Sequence, residues 1–238
     1  MKHSSESDKS GDRSSRFRQR ILATFLPVAA ILYIAAEAVA PKGSDQLIQT
    51  SSDAQRMLAV AAKHPTQLYL AVSFAIVGLG CLAVSYIALT TLVKNRGAKL
   101  ATAAAFIGGT GAFFGAITNI LVFPNLVAAA TAHITSAAAS QFLVTSFTSG
   151  FGQTFIYVYA AGEYLAPFLM GLALWRSKSV PRWQAALFFG GLQVAELQSS
   201  SGPKVILFML PFALAMFLLS VHIWKRASEQ FGEAVNPH

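Results

Sequence analysis

QLYLAVSFAIVGLGCLAVSYIALTTLVKNRGAKLATAAAFIGGTGAFFGAITNILVF, residues 67–123, decides the fold. Two apolar runs, 67–93 and 100–123, flank a basic turn carrying Lys94, Arg96 and Lys99. At a rise of about 1.5 Å per residue, each run is long enough as a helix for a hydrocarbon layer about 30 Å thick. Working outward, the same pattern recurs. Apolar runs at 19–40, 151–175, 183–199 and 204–224 are set off by short basic turns or by longer, more polar segments. The 238-residue chain is 54% hydrophobic and 12% charged, whereas soluble domains carry about 25% charged residues. Composition and blocks together predict an all-α, polytopic membrane protein with six transmembrane helices. They exclude a soluble enzyme and a nucleic-acid binder.

The net charge of +8 reports orientation. Lys2, Lys9, Arg13, Arg16, Arg18 and Arg20 precede the first run, and the turn at 94–99 follows the second. Arg176, Lys178 and Arg182 follow the fourth run, and Lys225 and Arg226 follow the sixth. Only Lys42, Arg56, Lys63 and Lys204 fall elsewhere. Basic residues concentrate in cytoplasmic loops, so both termini are expected in the cytoplasm, with anionic lipid as the partner of that face. Trp175, Trp183 and Trp224 fall at the same boundary and read as interfacial anchors. Cys81 is the sole cysteine, which rules out a disulfide within the chain.

The expected organisation is a disordered cytoplasmic tail over 1–18, a six-helix transmembrane domain over 19–226 and a cytoplasmic C-terminal tail over 227–238. The tail is Ser-rich and lacks apolar periodicity. Its basic end, the first apolar run and Ala38-Val39-Ala40 also fit a secretory signal peptide. Pro41 would follow the cut and Glu37 would interrupt the apolar region, so the run is read as a retained anchor. Two outer amphipathic segments are expected. In the first, Ser52-Asp53 caps a surface helix whose Met57, Leu58, Val60 and Ala61 share a face, and His64-Pro65 stops it. The second is a re-entrant or surface helix over about 126–146, after the third span ends at Pro124.

Gly108, Gly109, Gly111 and Gly115 place small residues on the third span, including a GxxxG. Such a face serves either packing within the chain or a homo-oligomer. Residues 91–109 also echo 173–191 at an offset of about 83, which sets Lys99 on Arg182, Phe106 on Phe189 and Gly108 on Gly191. A parallel internal repeat or a coincidence between two apolar hairpins accounts equally for this echo.

The helix ending in His64-Pro65, the turn with Arg96-Gly97, the Gly-rich third span and Arg176-Ser177-Lys178-Ser179-Val180-Pro181-Arg182-Trp183 carry a resemblance. The chain resembles an uncharacterised family of six-helix, actinobacterial-type integral membrane proteins, classed as a domain of unknown function. The resemblance covers roughly residues 20–225 in layout. It implies six spans in a bacterial plasma membrane and carries no activity, cofactor or site residue.

Function is sought in polar residues that are costly in hydrocarbon. Glu37, Glu163 and Glu196 lie inside the expected spans. A charge at a span centre costs about 2.5–3.5 kcal/mol on insertion scales. Glu163 sits near the middle of the fourth span, with Tyr159 and Pro167 on its face. Pro167 has no N–H for the carbonyl of Glu163, which leaves a further acceptor at that depth. Gln153, Tyr157 and Tyr164 are read as lining an adjoining face. Asn119, Gln193, Glu196 and Glu37 fall in the outer half of their spans. These residues suit an outward-facing polar cavity with Glu163 at its floor, binding a cation, proton or cationic solute. The competing account makes Glu163 a protonated packing residue. Glu37 and Glu196 then reach the interface or pair with Lys42 and Lys204.

His64, His133 and His222 lie at the edges of the spans, so no opposed pair could hold a haem. No metal site and no cofactor is expected. The chain has no HExxH, GxSxG, P-loop or dinucleotide fingerprint, and the reading leans away from an enzyme. Two function classes stand: a small carrier or binder acting through Glu163, and a non-transporting accessory subunit or envelope/lipid sensor acting through protein partners.

Overall fold

The computed structural model describes residues 4–44, 48–94, 96–131, 136–197 and 205–235. Among these residues every regular element is helical. The elements are α1 (Ser4–Val39), α2 (Ser51–Lys63), α3 (Pro65–Thr90), α4 (Ala98–Thr131), α5 (Ser136–Thr148), α6 (Gly150–Ala160), α7 (Ala166–Ser177), α8 (Arg182–Leu197) and α9 (Val205–Val235). A π-helical turn, Ala161–Leu165, joins α6 to α7 in one column. Among the described residues five helices are long and apolar enough to cross a membrane: Phe17–Val39, Pro65–Thr90, Ala98–Thr131, Gly150–Ser177 and Ile206–Glu229. Their outward faces carry large apolar side chains such as Phe106, Phe113, Phe151 and Leu207. That is the pattern for a bundle solvated by lipid.

Pairwise packing closes the long helices and α8 into a ring. Helix α1 packs on α3, α3 on α4, α4 on the α6–α7 column, α7 on α8, α8 on α9, and α9 back on α1. The last seam carries a buried bond in which Ser220 Oγ donates to the Ala23 carbonyl at 2.8 Å. The main core fills the ring, with Leu26, Tyr86, Leu89, Met170, Phe188 and Met216 fully enclosed. Because the columns alternate in direction, the start of α1, both basic turns and the end of α9 share one end. At that end Gly97, at φ 101°, turns the chain so closely onto α7 that a Cβ would lie 2.8 Å from the Ala173 carbonyl oxygen.

Arg226 ties this end together. Its Nη1 donates to the Leu92 carbonyl at 2.9 Å and its Nη2 to the Ser179 carbonyl at 3.2 Å. One guanidinium thus links α9 to the ends of two other columns. Arg226→Ala is expected to cost about 2 kcal/mol, since bonds from a charged donor contribute about 1.5–3 kcal/mol each and this site is half-buried. Arg226→Lys should recover less than half, because a point charge cannot span both carbonyls. Thermal unfolding in detergent reads both values, and an unchanged midpoint in Arg226→Ala would remove the clamp.

The opposite end carries a second core built from Ile48, Ala54, Met57, Leu58, Ala61, Leu68, Leu126, Val127, Ala139 and Leu143. Helix α2 buries Ala54, Met57, Leu58 and Ala61, with Val60 half-exposed at the edge. Its apolar face meets α4 and α5, not a membrane surface. The N-cap is Thr50, two residues ahead of Ser52, and Asp53 completes its capping box. The Thr50 hydroxyl and backbone N–H both donate to the Asp53 carboxylate, at 2.6 Å and 2.9 Å, and hold its pKa below the ordinary value. His64 ends α2 and starts α3, as its place before Pro65 predicts.

Three boundaries differ from expectation. Helix α4 runs through Pro124 to Thr131; the added residues bury Leu126 and Val127 in the second core, which offsets the missing N–H. The single helix expected over 126–146 is therefore divided between α4 and α5. The backbone of residues 4–16, expected to be irregular, continues α1 as helix; extending an existing helix needs no new nucleus. His133 and Lys204 lie outside the described residues.

Candidate functional site

Glu163 lies in the π-helical turn, close to halfway along Gly150–Ser177. Pro167 explains the turn. Without an N–H it cannot bond the carbonyl four residues back, and the helix takes up one extra residue there. Gly162 lets the widened turn press on α4. A Cβ at Gly162 would lie 2.5 Å from the Gly111 Cα. The glycines of the third span therefore serve packing within the chain. Gly108 receives the ring of the buried Tyr86, Gly111 receives Gly162, and Gly115 receives the ring of Tyr159. Gly109 faces open space.

Two phenols hold the carboxylate. Tyr159, one turn earlier on α6, donates its hydroxyl to Glu163 Oε1 at 2.9 Å. Tyr33 of α1, on the far side of the ring, donates to the same oxygen. They face a cavity at the ring's centre, walled by Ala29, Leu79, Leu82, Gly108, Ala112, Gly162, Leu192 and Phe212 besides Tyr33, Tyr159 and Glu163. Every column of the ring contributes at least one of these residues. The space open to water is about 20 Å³, enough for one water molecule. No lysine or arginine is among the lining residues. Among the described residues no group of three His, Cys, Asp or Glu could hold a metal ion.

The sequence-predicted residues divide. Glu163 and Tyr159 meet as expected. Gln193 reaches the same turn from α8, where its Nε2 donates to the Tyr164 carbonyl at 3.3 Å; it braces the backbone and does not line the cavity. Asn119 donates its Nδ2 to the Gly115 carbonyl of its own helix at 2.8 Å, one turn above the Tyr159 contact. Glu37 is half-buried on α1, one turn past Tyr33 and outside the cavity lining. Glu196 belongs to α8, and its side chain lies outside the described residues. Tyr157 and Tyr164 are 68% and 45% exposed on the outside of the bundle, so they do not line the site. The space beside Glu163 is narrower and more apolar than a string of polar residues suggests, because helical periodicity sends half of that string outward.

Tyr33 was missed. Its signal was its place four residues before Glu37, on one face of the first span. What pairs Tyr33 with Glu163 is contact between elements 130 residues apart.

No curated protein and no solved structure matches this chain. A family model does match, over residues 23–225. That range reaches from α1 to α9 and includes every residue around the central cavity. The chain belongs to the family described as a domain of unknown function, DUF4386.

Proposed function

We propose that this protein is a small membrane carrier or binder that takes up a proton, or one small dehydrated cation, at Glu163. The observation that carries the reading is the Tyr33–Glu163–Tyr159 cluster, a carboxyl at the middle of a span beside a cavity of about 20 Å³. Intramembrane carboxyls are costly, and they mark ion and proton pathways in bundles of this kind. The size of the space favours a proton or a bare ion over an organic cation. The π-helical turn supports the same reading, since such turns concentrate at functional positions.

The protein acts, in this proposal, as a six-span protein of the bacterial plasma membrane. Helix α8 is the sixth, short crossing, and both termini are cytoplasmic. The closed ring and the cations gathered at one end support that placement. Uptake to Glu163 then proceeds from the opposite, outer end.

The test is thermal unfolding of the purified protein, wild type against Glu163→Gln, from pH 5 to 9 with lithium, sodium, potassium and ammonium. A midpoint that moves with pH or with one cation in wild type, and stays flat in the variant, assigns the site by linkage. Coincident curves in every condition would make Glu163 a packing residue and leave a role through protein partners.

A further inference from the structure

An open, shallow groove runs along α9 at the basic end of the bundle, lined by Ser220, Val221, Trp224, Lys225, Ser228 and Glu229. Arg20 of α1 borders it. Its guanidinium stands 5.7 Å from the centre of the Trp224 ring, and its Nη2 donates to Ser228 Oγ at 3.0 Å. These contacts fix a cation at the α1–α9 seam without using up its five donors. The Nε–H is buried and has no acceptor, a condition that costs more for a charged group than for a neutral one. Lys225 brings a second cation into the same groove.

An apolar stripe leads away from this groove. Leu207, Leu210, Leu214 and Phe217 are each at least half exposed. They recur every three or four residues toward Val221 and Trp224, so they share one face of α9. From Leu214 to Trp224 the stripe extends about 15 Å at 1.5 Å per residue, half of a hydrocarbon layer and so the depth that one lipid's acyl chains cover. Cations, an indole and a hydroxyl at one end of such a stripe match the order of groups along a phospholipid.

We propose that the groove binds the phosphodiester headgroup of one membrane phospholipid, with its acyl chains laid along the stripe. Arg20 and Lys225 take the phosphate, as a guanidinium and an ammonium do wherever a phosphate is recognised. Glu229, an acid at the rim, accepts from a headgroup that carries donors: the hydroxyls of phosphatidylglycerol or the ammonium of phosphatidylethanolamine. A choline headgroup offers no such donor. The site stands apart from Glu163 and rests only on the basic end lying at a headgroup layer.

Thermal unfolding of the full-length protein in detergent, with added phosphatidylglycerol, phosphatidylethanolamine or phosphatidylcholine of identical acyl chains, tests this. The first two are expected to raise the midpoint in a saturable way, and the third, which shares the phosphate but lacks the donor for Glu229, to do so only at higher concentration. In Arg20→Ala/Lys225→Ala the concentration needed should rise about thirtyfold, since each of the two basic residues near a lipid surface contributes about 1 kcal/mol. Arg182→Ala, which removes the cation 5.6 Å from the Trp175 ring on a different seam, should leave the response unchanged. If the double variant fails to fold, Glu229→Gln serves instead, with a reduced advantage of phosphatidylethanolamine over phosphatidylcholine. Equal stabilisation by all three lipids, an unaltered response in the variants, or the same effect from inorganic phosphate alone would overturn the site.

Discussion

Gly111→Leu should cost about 3 kcal/mol or more and leave little folded protein in detergent, whereas Gly109→Leu should change the unfolding midpoint hardly at all. The two positions are two residues apart on the same helix. At Gly111 a Cβ meets the Gly162 Cα at a distance no carbon pair tolerates, and that neighbour is backbone. Backbone cannot rotate aside as a side chain can, so α4 and the π-helical turn must separate. Overpacking of this kind typically costs 1–3 kcal/mol for a methylene or two, and a leucine adds more. At Gly109 nothing lies within 4 Å, and a side chain there gains helix propensity. Equal midpoints for the two variants would mean that α4 and the turn do not touch as described.

The second large effect is expected around the carboxyl. Glu163→Leu removes the acceptor that Tyr33 and Tyr159 share. Their hydroxyls then face the apolar residues Leu79, Leu82, Leu192 and Phe212. Losing a shared acceptor for two part-buried hydroxyls costs about 1–3 kcal/mol for each, so the single variant should lose about 3 kcal/mol. Adding Tyr33→Phe and Tyr159→Phe removes the two hydroxyls as well. Replacing a buried polar cluster by apolar groups of similar shape is often neutral or stabilising. The triple variant is therefore expected to recover most of the loss, a strongly non-additive result. It should nevertheless show no pH or cation response. Recovery of stability without recovery of the response separates a binding role from a packing role. A triple variant as unstable as Glu163→Leu would show that the two phenols are not what the carboxyl stabilises.

Much of this arrangement is legible before any coordinates. Mean hydropathy over a run of residues is a local quantity, and so is the cost of leaving it in water; the long spans follow from it directly. The concentration of cations at one end follows as well, because alternating runs carry charge only in alternate gaps. His64-Pro65 marks a boundary through covalent geometry alone. Glu163 stands out because a carboxyl in the middle of an apolar run has no cheap explanation.

Other features depend on partners far away in sequence. Whether α4 stops at Pro124 depends on Leu126 and Val127 finding the second core, and nothing local to the proline decides that. The faces of Tyr157 and Tyr164 were misread because an apolar span shows no contrast between its lipid side and its protein side. Lipid and core are equally apolar, so the periodicity that orients a helix in water is lost.

Composition and order of residues thus determined the helical class, the membrane solvent and the depth of one carboxyl, since each depends on transfer between water and hydrocarbon. Tertiary packing alone decided that six columns close into a ring, that Gly111 and Gly162 set the π-helical turn against α4, and that Tyr33 crosses the bundle to Glu163. Those outcomes rest on close contact between backbones and on hydrogen bonds across the ring, both short-range forces that act only once distant segments have met.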